Sequence, residues 1–383
     1  MVRSVAVIGA AGACGRQVVT QLLNRSLLDP DSRLQLIGHR GGASANEMHG
    51  LRSDLRDAFA DDAPAIELVD DPDGIDADLV VMIAGATVPT DPTANVDRAL
   101  LAQSNRRLFG TYADALAARA GGQPLVIVQS NPVELGVAVF SERLERHRVV
   151  GAGAWSDTMR FRREIADSLG VRRTAVRAAM IGQHGDHLVP VWSRVQVHGV
   201  DEAELAAWVA GQRRGRSLAE LPAEIVAQRG RLLALVGAGD VGGAFAAVAE
   251  LPADLRAALK PFLVHYTAGH TTEIVTAHAV VDLIALAMAG DDIQRPLQVR
   301  LDGEIDGISG VIGLPVLFGP AGWQWVTPPQ IEQDEMDALL ASLHSIAAAN
   351  AFARGGTSGQ AGYTARPPAQ RTPPATARTG RPG

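Results

Sequence analysis

Val5-Ala6-Val7-Ile8-Gly9-Ala10-Ala11-Gly12-Ala13-Cys14-Gly15 opens the chain with an unbroken apolar run, followed by three glycines at three-residue spacing. Four apolar residues bounded by glycine suit a strand buried on both faces. Residues 17–23 then place apolar side chains at helical spacing, so the stretch reads as strand, glycine turn, helix. In that setting each glycine has a task. Gly9 permits the tight turn, Gly12 lets the backbone approach a pyrophosphate, and Gly15 allows close packing of helix on strand. The helix N-terminus adds unpaired N–H groups and the positive end of a dipole. The glycine spacing alone is weak, and its position between strand and helix makes dinucleotide binding the expectation. A glycine-rich turn in some other α/β fold is the alternative.

Outward from this turn, apolar runs at 34–37, 66–69, 79–84 and 125–128 alternate with helix-like stretches. That rhythm predicts an α/β fold with a Rossmann-type doubly wound parallel sheet, here a dinucleotide-binding domain over residues 1–150. Beyond it the pattern changes. Strand-like segments at 174–181 and 189–200, helical patterns at 203–214 and 273–288, strands at 298–305 and 311–317 and a closing helix at 334–349 predict an α+β substrate-binding and catalytic domain over 151–352. Residues 353–383 are expected to form a disordered Pro/Arg-rich tail: from Arg354 on there is no acidic residue and almost no large apolar side chain to offset ordering entropy.

Composition narrows the class. A chain of 383 residues with 47% hydrophobic content suits one two-lobed enzyme subunit. The net charge of −7 argues against a nucleic-acid partner, which would need a concentrated excess of Lys and Arg. Cys14 is the only cysteine, so no internal disulfide can form, in keeping with a reducing compartment. No apolar run reaches the ~18 residues a membrane span needs, and no signal-peptide pattern opens the chain, so a soluble, cytoplasmic protein without a membrane partner is expected.

A dinucleotide fingerprint normally ends its second strand on an acid that binds the adenosine ribose hydroxyls. Here the strand ends Leu36-Ile37-Gly38-His39-Arg40. Gly38 removes the acid and Arg40 adds a cation where a 2′-phosphate would lie. A solvent-directed Arg40 is the alternative, so both NAD and NADP stay open.

The chemistry is carried by Asp157-Thr158-Met159-Arg160 and Met180-Ile181-Gly182-Gln183-His184-Gly185-Asp186. Oxidising a secondary alcohol needs a base for the hydroxyl proton while hydride leaves the carbon, and the reference pKa of histidine, about 6.5, suits it to the task. A carboxylate on the other ring nitrogen fixes the tautomer, and an arginine grips a substrate carboxylate with two parallel bonds. At a three-residue separation Asp157 and Arg160 share a helix face. His184 by itself would read as a structural histidine; the flanking glycines and the upstream Asp-x-x-Arg favour catalysis.

These elements, with Ala84-Gly85, Ser130-Asn131-Pro132-Val133, Leu301-Asp302-Gly303-Glu304 and residues 311–319, resemble the lactate/malate dehydrogenase family through nearly the whole chain. The resemblance implies His184 as proton relay, Asp157 as its partner and Arg160 as the carboxylate-binding arginine. It implies that Asn131 contacts substrate and nicotinamide ribose, and that Gly85 and Asn105 belong to the coenzyme site with Gly9, Gly12, Gly15 and Arg40. Arg98, seven residues before Asn105, matches the mobile-loop arginine that polarises the reacting carbonyl, and Thr271 or Thr272 stands where a small pocket residue is found. It further implies a homodimer or homotetramer, for which the stripe Met48, Leu51, Leu55 and Phe59 offers a packing face, with packing on the chain's own core as the alternative.

Gly9-Ala10-Ala11-Gly12 resembles the malate-type turn. The loop does not: no arginine precedes Arg98 after Gly85, and Asp91 would repel a second substrate carboxylate. The expectation is therefore an NAD(P)-dependent 2-hydroxy-acid dehydrogenase acting on a small 2-hydroxy or 2-oxo acid, with malate to oxaloacetate first. Another 2-hydroxy acid such as lactate, or a non-catalytic dinucleotide-binding homologue, are the alternatives. A lone cysteine inside the glycine turn offers no Cys/His metal site, so no metal is expected.

Overall fold

The structure, a computed structural model, describes residues 2–39, 41, 43–86, 98–268, 272–305, 307–324 and 330–355. The first half follows the alternating rhythm: β1 (Ser4–Ile8), α1 (Ala13–Asn24), β2 (Arg33–Ile37), α2 (Ala43–Ala58), β3 (Ala65–Val69), β4 (Leu79–Met82), α3 (Arg98–Ala117), β5 (Leu125–Val128), α4 (Val133–Ser141) and β6 (Val149–Gly151). These strands lie parallel in the order β3-β2-β1-β4-β5-β6. β1 is central, paired with β2 on one side and β4 on the other, and all five of its residues are buried. The order reverses at β1, so the glycine turn stands at the switch point, where open α/β sheets bind ligands.

The second half comprises α5 (Gly153–Leu169), β7 (Val176–Arg177), β8 (Met180–Gly182), β9 (Leu188–Pro190), β10 (Gln196–Val197), α6 (Glu202–Arg213), α7 (Leu221–Gly237), α8 (Val241–Ala249), α9 (Ala253–Ala268), α10 (Glu273–Ala289), β11 (Ile293–Ile305), β12 (Ile308–Gly319), β13 (Gly322–Gln324) and α11 (Gln333–Ala353). The long hairpin β11–β12 extends the first sheet from β6 and carries it on to β8 and β9, so one sheet runs through both halves. α10 packs across α1, and α5 packs on α9. No helix among the described residues is long and apolar enough to cross a membrane.

Three expectations need correction. The segments 174–181 and 189–200 are not single strands. Each is interrupted, and β7 pairs with β10 in a separate two-stranded sheet while β8 pairs with β9 in the main one. The break in the second is a helical turn, Trp192–Arg194, that sinks Trp192 into the core with its ring edge-on to Phe161 at 4.9 Å.

The stripe on α2 is not a free face. Met48, Leu51 and Leu55 are 3%, 5% and 4% exposed within the single chain, and Phe59 packs beside them, so the helix spends its apolar side on its own core. Thirdly, the stretch 215–268, given no element from sequence, holds α7, α8 and α9. Of the expected tail 353–383, Ala353 closes α11, and residues 356–383 lie outside the described residues.

Candidate active site

The glycine turn is built as its spacing demands. Gly9 has φ +90°, and a Cβ on it would stand 2.8 Å from the Ala84 backbone. A Cβ on Gly15 would lie 2.1 Å from the Gly9 carbonyl oxygen and 2.8 Å from Ala10 Cα, so helix and turn touch backbone to backbone. Gly12 differs: it is exposed, and a Cβ there would meet only the Gly9 carbonyl oxygen at 3.3 Å. It caps α1 without any side-chain hydrogen bond, and no acidic residue sits in the first turn. The first-turn N–H groups of a helix have no intrahelical partners, so this end offers donors and a positive dipole to an anion. A pyrophosphate fits such a cradle. Cys14 is no reactive thiolate within it, because burial, helped by Glu273, pushes its thiol up to about 11.

β2 ends as read from sequence, without a carboxylate: the Gly38 N–H donates to the Val69 carbonyl at 2.9 Å, tying the ends of β2 and β3. Arg40 lies outside the described residues. Asn105, on α3, is 1% exposed and acts on the opposite rim. Its Oδ1 accepts from the Ala86 N–H at 2.7 Å, and its Nδ2 donates to the carbonyls of Ala86 and Asn131 at 3.0 and 2.8 Å. One buried amide thus joins the loop after β4, which holds Gly85, to the loop after β5. The Asn105 side chain is engaged by backbone and shapes the cleft; Asn131 is exposed at its edge. Arg98 opens α3, but its side chain and the loop 87–97, with Thr90 and Asp91, lie outside the described residues, as does Thr271.

Asp157, Arg160, Thr272 and His184 come together across 116 positions of sequence, from 157 to 272. Asp157 and Arg160 stand one turn apart on α5, and His184 follows β8. His184 Nδ1 is 2.7 Å from Asp157 Oδ2. Asp157 Oδ1 accepts from Arg160 Nη1 at 2.8 Å, and Arg160 Nη2 donates to Thr272 Oγ1 at 2.9 Å. Thr272 stands at the start of α10 and makes no capping bond there. With Nδ1 committed to Asp157, Nε2 is the ring atom left to exchange a proton with a ligand. The side chains of His184, Asp157 and Arg160 are 17%, 10% and 12% exposed, so they interact in a largely water-free setting.

The electrostatics follow from this packing. Burial works against the His184 imidazolium, yet the Asp157 carboxylate and its hydrogen bond, with Glu134, more than offset it, and the imidazole pKa is raised. Burial likewise favours neutral Asp157, but His184 and Arg160 together hold its carboxyl below the usual carboxylate value.

Two residues of this arrangement escape a sequence reading. Glu134, in the first turn of α4 and 4% exposed, accepts the His184 backbone N–H on Oε1 at 2.6 Å. Gln298 on β11, fully buried, donates to the same oxygen at 3.4 Å and accepts the Ala154 N–H at 3.0 Å, so it ties α5 to the histidine loop. Burial lifts the Glu134 pKa above its ordinary value. The signal was present: a carboxylate in the otherwise apolar run Val133-Glu134-Leu135-Gly136-Val137 must find a buried partner.

A parallel sheet with an open glycine turn at its switch point, joined to a lobe carrying a buried histidine, carboxylate and arginine, defines the class of two-lobed dinucleotide-binding proteins. The chain belongs to the lactate/malate dehydrogenase family. Residues 3–151 match the family model described as lactate/malate dehydrogenase, NAD binding domain, and residues 156–250 match the alpha/beta C-terminal domain of the same family. Among relatives, the L-2-hydroxycarboxylate dehydrogenase (NAD(P)(+)) of Methanocaldococcus jannaschii is 26% identical over 349 residues, covering 89% of this chain and 96% of that one. The L-lactate dehydrogenase of Bacillus caldotenax is 35% identical over 201 residues, 51% of this chain and 59% of its own. The Cryptosporidium parvum malate dehydrogenase structure superimposes with a TM-score of 0.71 at 19% identity, covering 93% of this chain and all 100% of that one, which shows the shared fold.

Proposed function

We propose that this chain is an NAD(P)-dependent 2-hydroxy-acid dehydrogenase, with malate and oxaloacetate as the first-choice pair. The observation that carries the reading is the 2.7 Å contact between His184 Nδ1 and Asp157, with Arg160 bonded to the same carboxylate at 2.8 Å. Bound at the glycine turn, the nicotinamide coenzyme supplies the hydride acceptor or donor. Gly9, Gly12 and Gly15 give its pyrophosphate a close backbone and a helix N-terminus. His184 Nε2 takes the hydroxyl proton during oxidation and returns it during reduction, and Asp157 stabilises the imidazolium in between. Arg160, held by Asp157 and Thr272, directs its remaining N–H groups to the substrate carboxylate and so sets which face of the reacting carbon is presented. Asn131 stands at the cleft edge beside substrate and nicotinamide ribose, and Arg98 polarises the carbonyl from the start of α3. The same reading divides the chain into a coenzyme domain (1–150), a catalytic domain (151–352) and a tail (353–383), placed in the cytoplasm as a homodimer or homotetramer that uses a face other than the α2 stripe.

The test is an initial-rate screen of NADH and NADPH oxidation over a panel of 2-oxo acids. Turnover of oxaloacetate, or failing that of another 2-oxo acid, is expected. Absence of turnover with every member of the panel and both coenzymes would overturn the reading.

A further inference from the structure

The loop expected to receive a second substrate carboxylate has no arginine before Arg98, yet a cation pairs with the residue two positions beyond the histidine. Asp186 follows His184 by two residues, so their Cα atoms are within about 7 Å. Asp186 Oδ1 accepts a hydrogen bond from an Nη of Arg229, which projects from α7. The Arg229 guanidinium also lies over the Phe262 ring of α9, 5.0 Å from its centroid. Its side chain is 20% exposed against 34% for Asp186, and its Nε is buried with no partner among the described residues. α7 packs directly on α9, and α9 in turn packs on α5, which carries Asp157 and Arg160. The guanidinium is thus fixed by an ion pair, a ring face and a helix interface, and it reaches the histidine loop from a segment that carries none of the relay residues.

We infer that Arg229 is a specificity-determining residue that sets the charge class of the substrate: it neutralises Asp186 beside His184, so the pocket accepts a 2-oxo acid bearing a second carboxylate. The inference rests on the dehydrogenase reading. An unneutralised Asp186, two residues from His184, would oppose a dianion and leave a monoanion less affected, because like charges in a partly desolvated site repel strongly. Arginine suits the position because its planar fork can stack on Phe262 and pair with Asp186 at once, keeping the charge fixed without occupying the pocket. With Arg229 in place the net charge of the pair is zero, and the free N–H groups of the fork can still face an incoming carboxylate.

The test compares kcat/KM for oxaloacetate and pyruvate in the wild type, Arg229→Met, Asp186→Asn and the double variant, with thermal melts to follow folding. Arg229→Met should lower the oxaloacetate-to-pyruvate ratio by roughly tenfold or more, a difference of about 1.4 kcal/mol. Asp186→Asn alone should raise the ratio, and the double variant should recover most of the loss. The single Asp186→Asn variant retains Arg229, so it judges the inference even if Arg229→Met fails to fold. A ratio within twofold of wild type in Arg229→Met, or a fall of the ratio in Asp186→Asn, overturns it. Equal losses on both acids without recovery in the double variant overturn it in favour of a packing role. The binding ratio of the unreactive dianion hydroxymalonate to the monoanion oxamate, measured with coenzyme present, should move in the same directions. It separates the two readings: a wild type that reduces no member of the 2-oxo-acid panel with either coenzyme contradicts the dehydrogenase assignment, while this ratio still decides the role of Arg229.

Discussion

The glycine turn and the histidine cluster solve opposite problems. At residues 9–15 the site is made of backbone, and what matters is that side chains are missing: a Cβ at Gly9 or Gly15 would collide with main-chain atoms at 2.8 Å or less. At His184 the site is made of side chains, and what matters is that each is held by another, Asp157 by Arg160, Arg160 by Thr272, and the His184 backbone by Glu134. The first rests on glycine at these positions and on the backbone that crowds them, Ala84 beside Gly9 and the Gly9 carbonyl beside Gly15. The second is assembled from α4, α5, β8 and α10 and depends on every long-range contact.

The sharpest way to break the side-chain site is Asp157→Asn. It removes the charge that raises the His184 pKa and leaves Arg160 without its carboxylate partner. Turnover should fall on the order of a hundredfold or more. Its pH profile carries the sign. Reduction of a 2-oxo acid needs the imidazolium, so in the wild type it persists above the ordinary imidazole range and is lost as pH rises through the raised pKa. The variant should lose it at lower pH. Linkage adds a stability effect with the same sign: the His184 contribution is complete below about pH 6.5 and fades as pH rises through the folded value. The Asp157 contribution runs the other way, present above the ordinary aspartate value and lost as pH falls through its lowered one. Melting temperatures across pH in wild type and Asp157→Asn would check both.

The backbone site breaks at Gly15→Ala. The new Cβ would sit 2.1 Å from the Gly9 carbonyl oxygen, so the turn must move, at about 1–3 kcal/mol of overpacking strain. Coenzyme affinity should drop by an order of magnitude or more in a titration of NADH fluorescence, while the His184 cluster stays formed. Arg160→Lys is smaller and sharpens the comparison: a point charge keeps the attraction for a carboxylate but loses the fork shared between Asp157, Thr272 and substrate, so KM should rise roughly tenfold with a lesser change in kcat. Arg40→Ala should be smallest, weakening NADPH a few-fold more than NADH if Arg40 meets the 2′-phosphate. Equal effects on the two coenzymes would leave Arg40 without that role.

Legibility in the sequence follows the same division. The first half was readable because buried parallel strands are continuous apolar runs and glycine turns punctuate them, so β1 to β5 fall where residues 5–8, 34–37, 66–69, 79–84 and 125–128 placed them. His184, Asp157 and Arg160 were readable as a motif, and the structure joins them. The remainder depends on tertiary contacts that no local pattern encodes. The run 174–181 has strand composition, but its two ends pair with different sheets. The stripe on α2 has the spacing of either an interface or a core helix, and only burial decides for the core. The region of α7 to α9 was missed because it is interrupted at Gly237, Gly239 and Pro252 and carries Pro261 inside a helix. Arg229 was missed with it. Glu134 and Gln298 were missed because a lone polar side chain reveals its partner only when the chain is folded around it.

The central claim is that His184 moves the proton of a 2-hydroxy acid while the glycine turn holds the coenzyme, two separable tasks. It is tested most directly by comparing wild type and His184→Asn for NADH binding and for single-turnover oxidation of bound NADH with oxaloacetate. The account predicts near-equal coenzyme affinity and a transfer rate reduced on the order of a hundredfold or more in the variant. Equal transfer rates in the two proteins would contradict it.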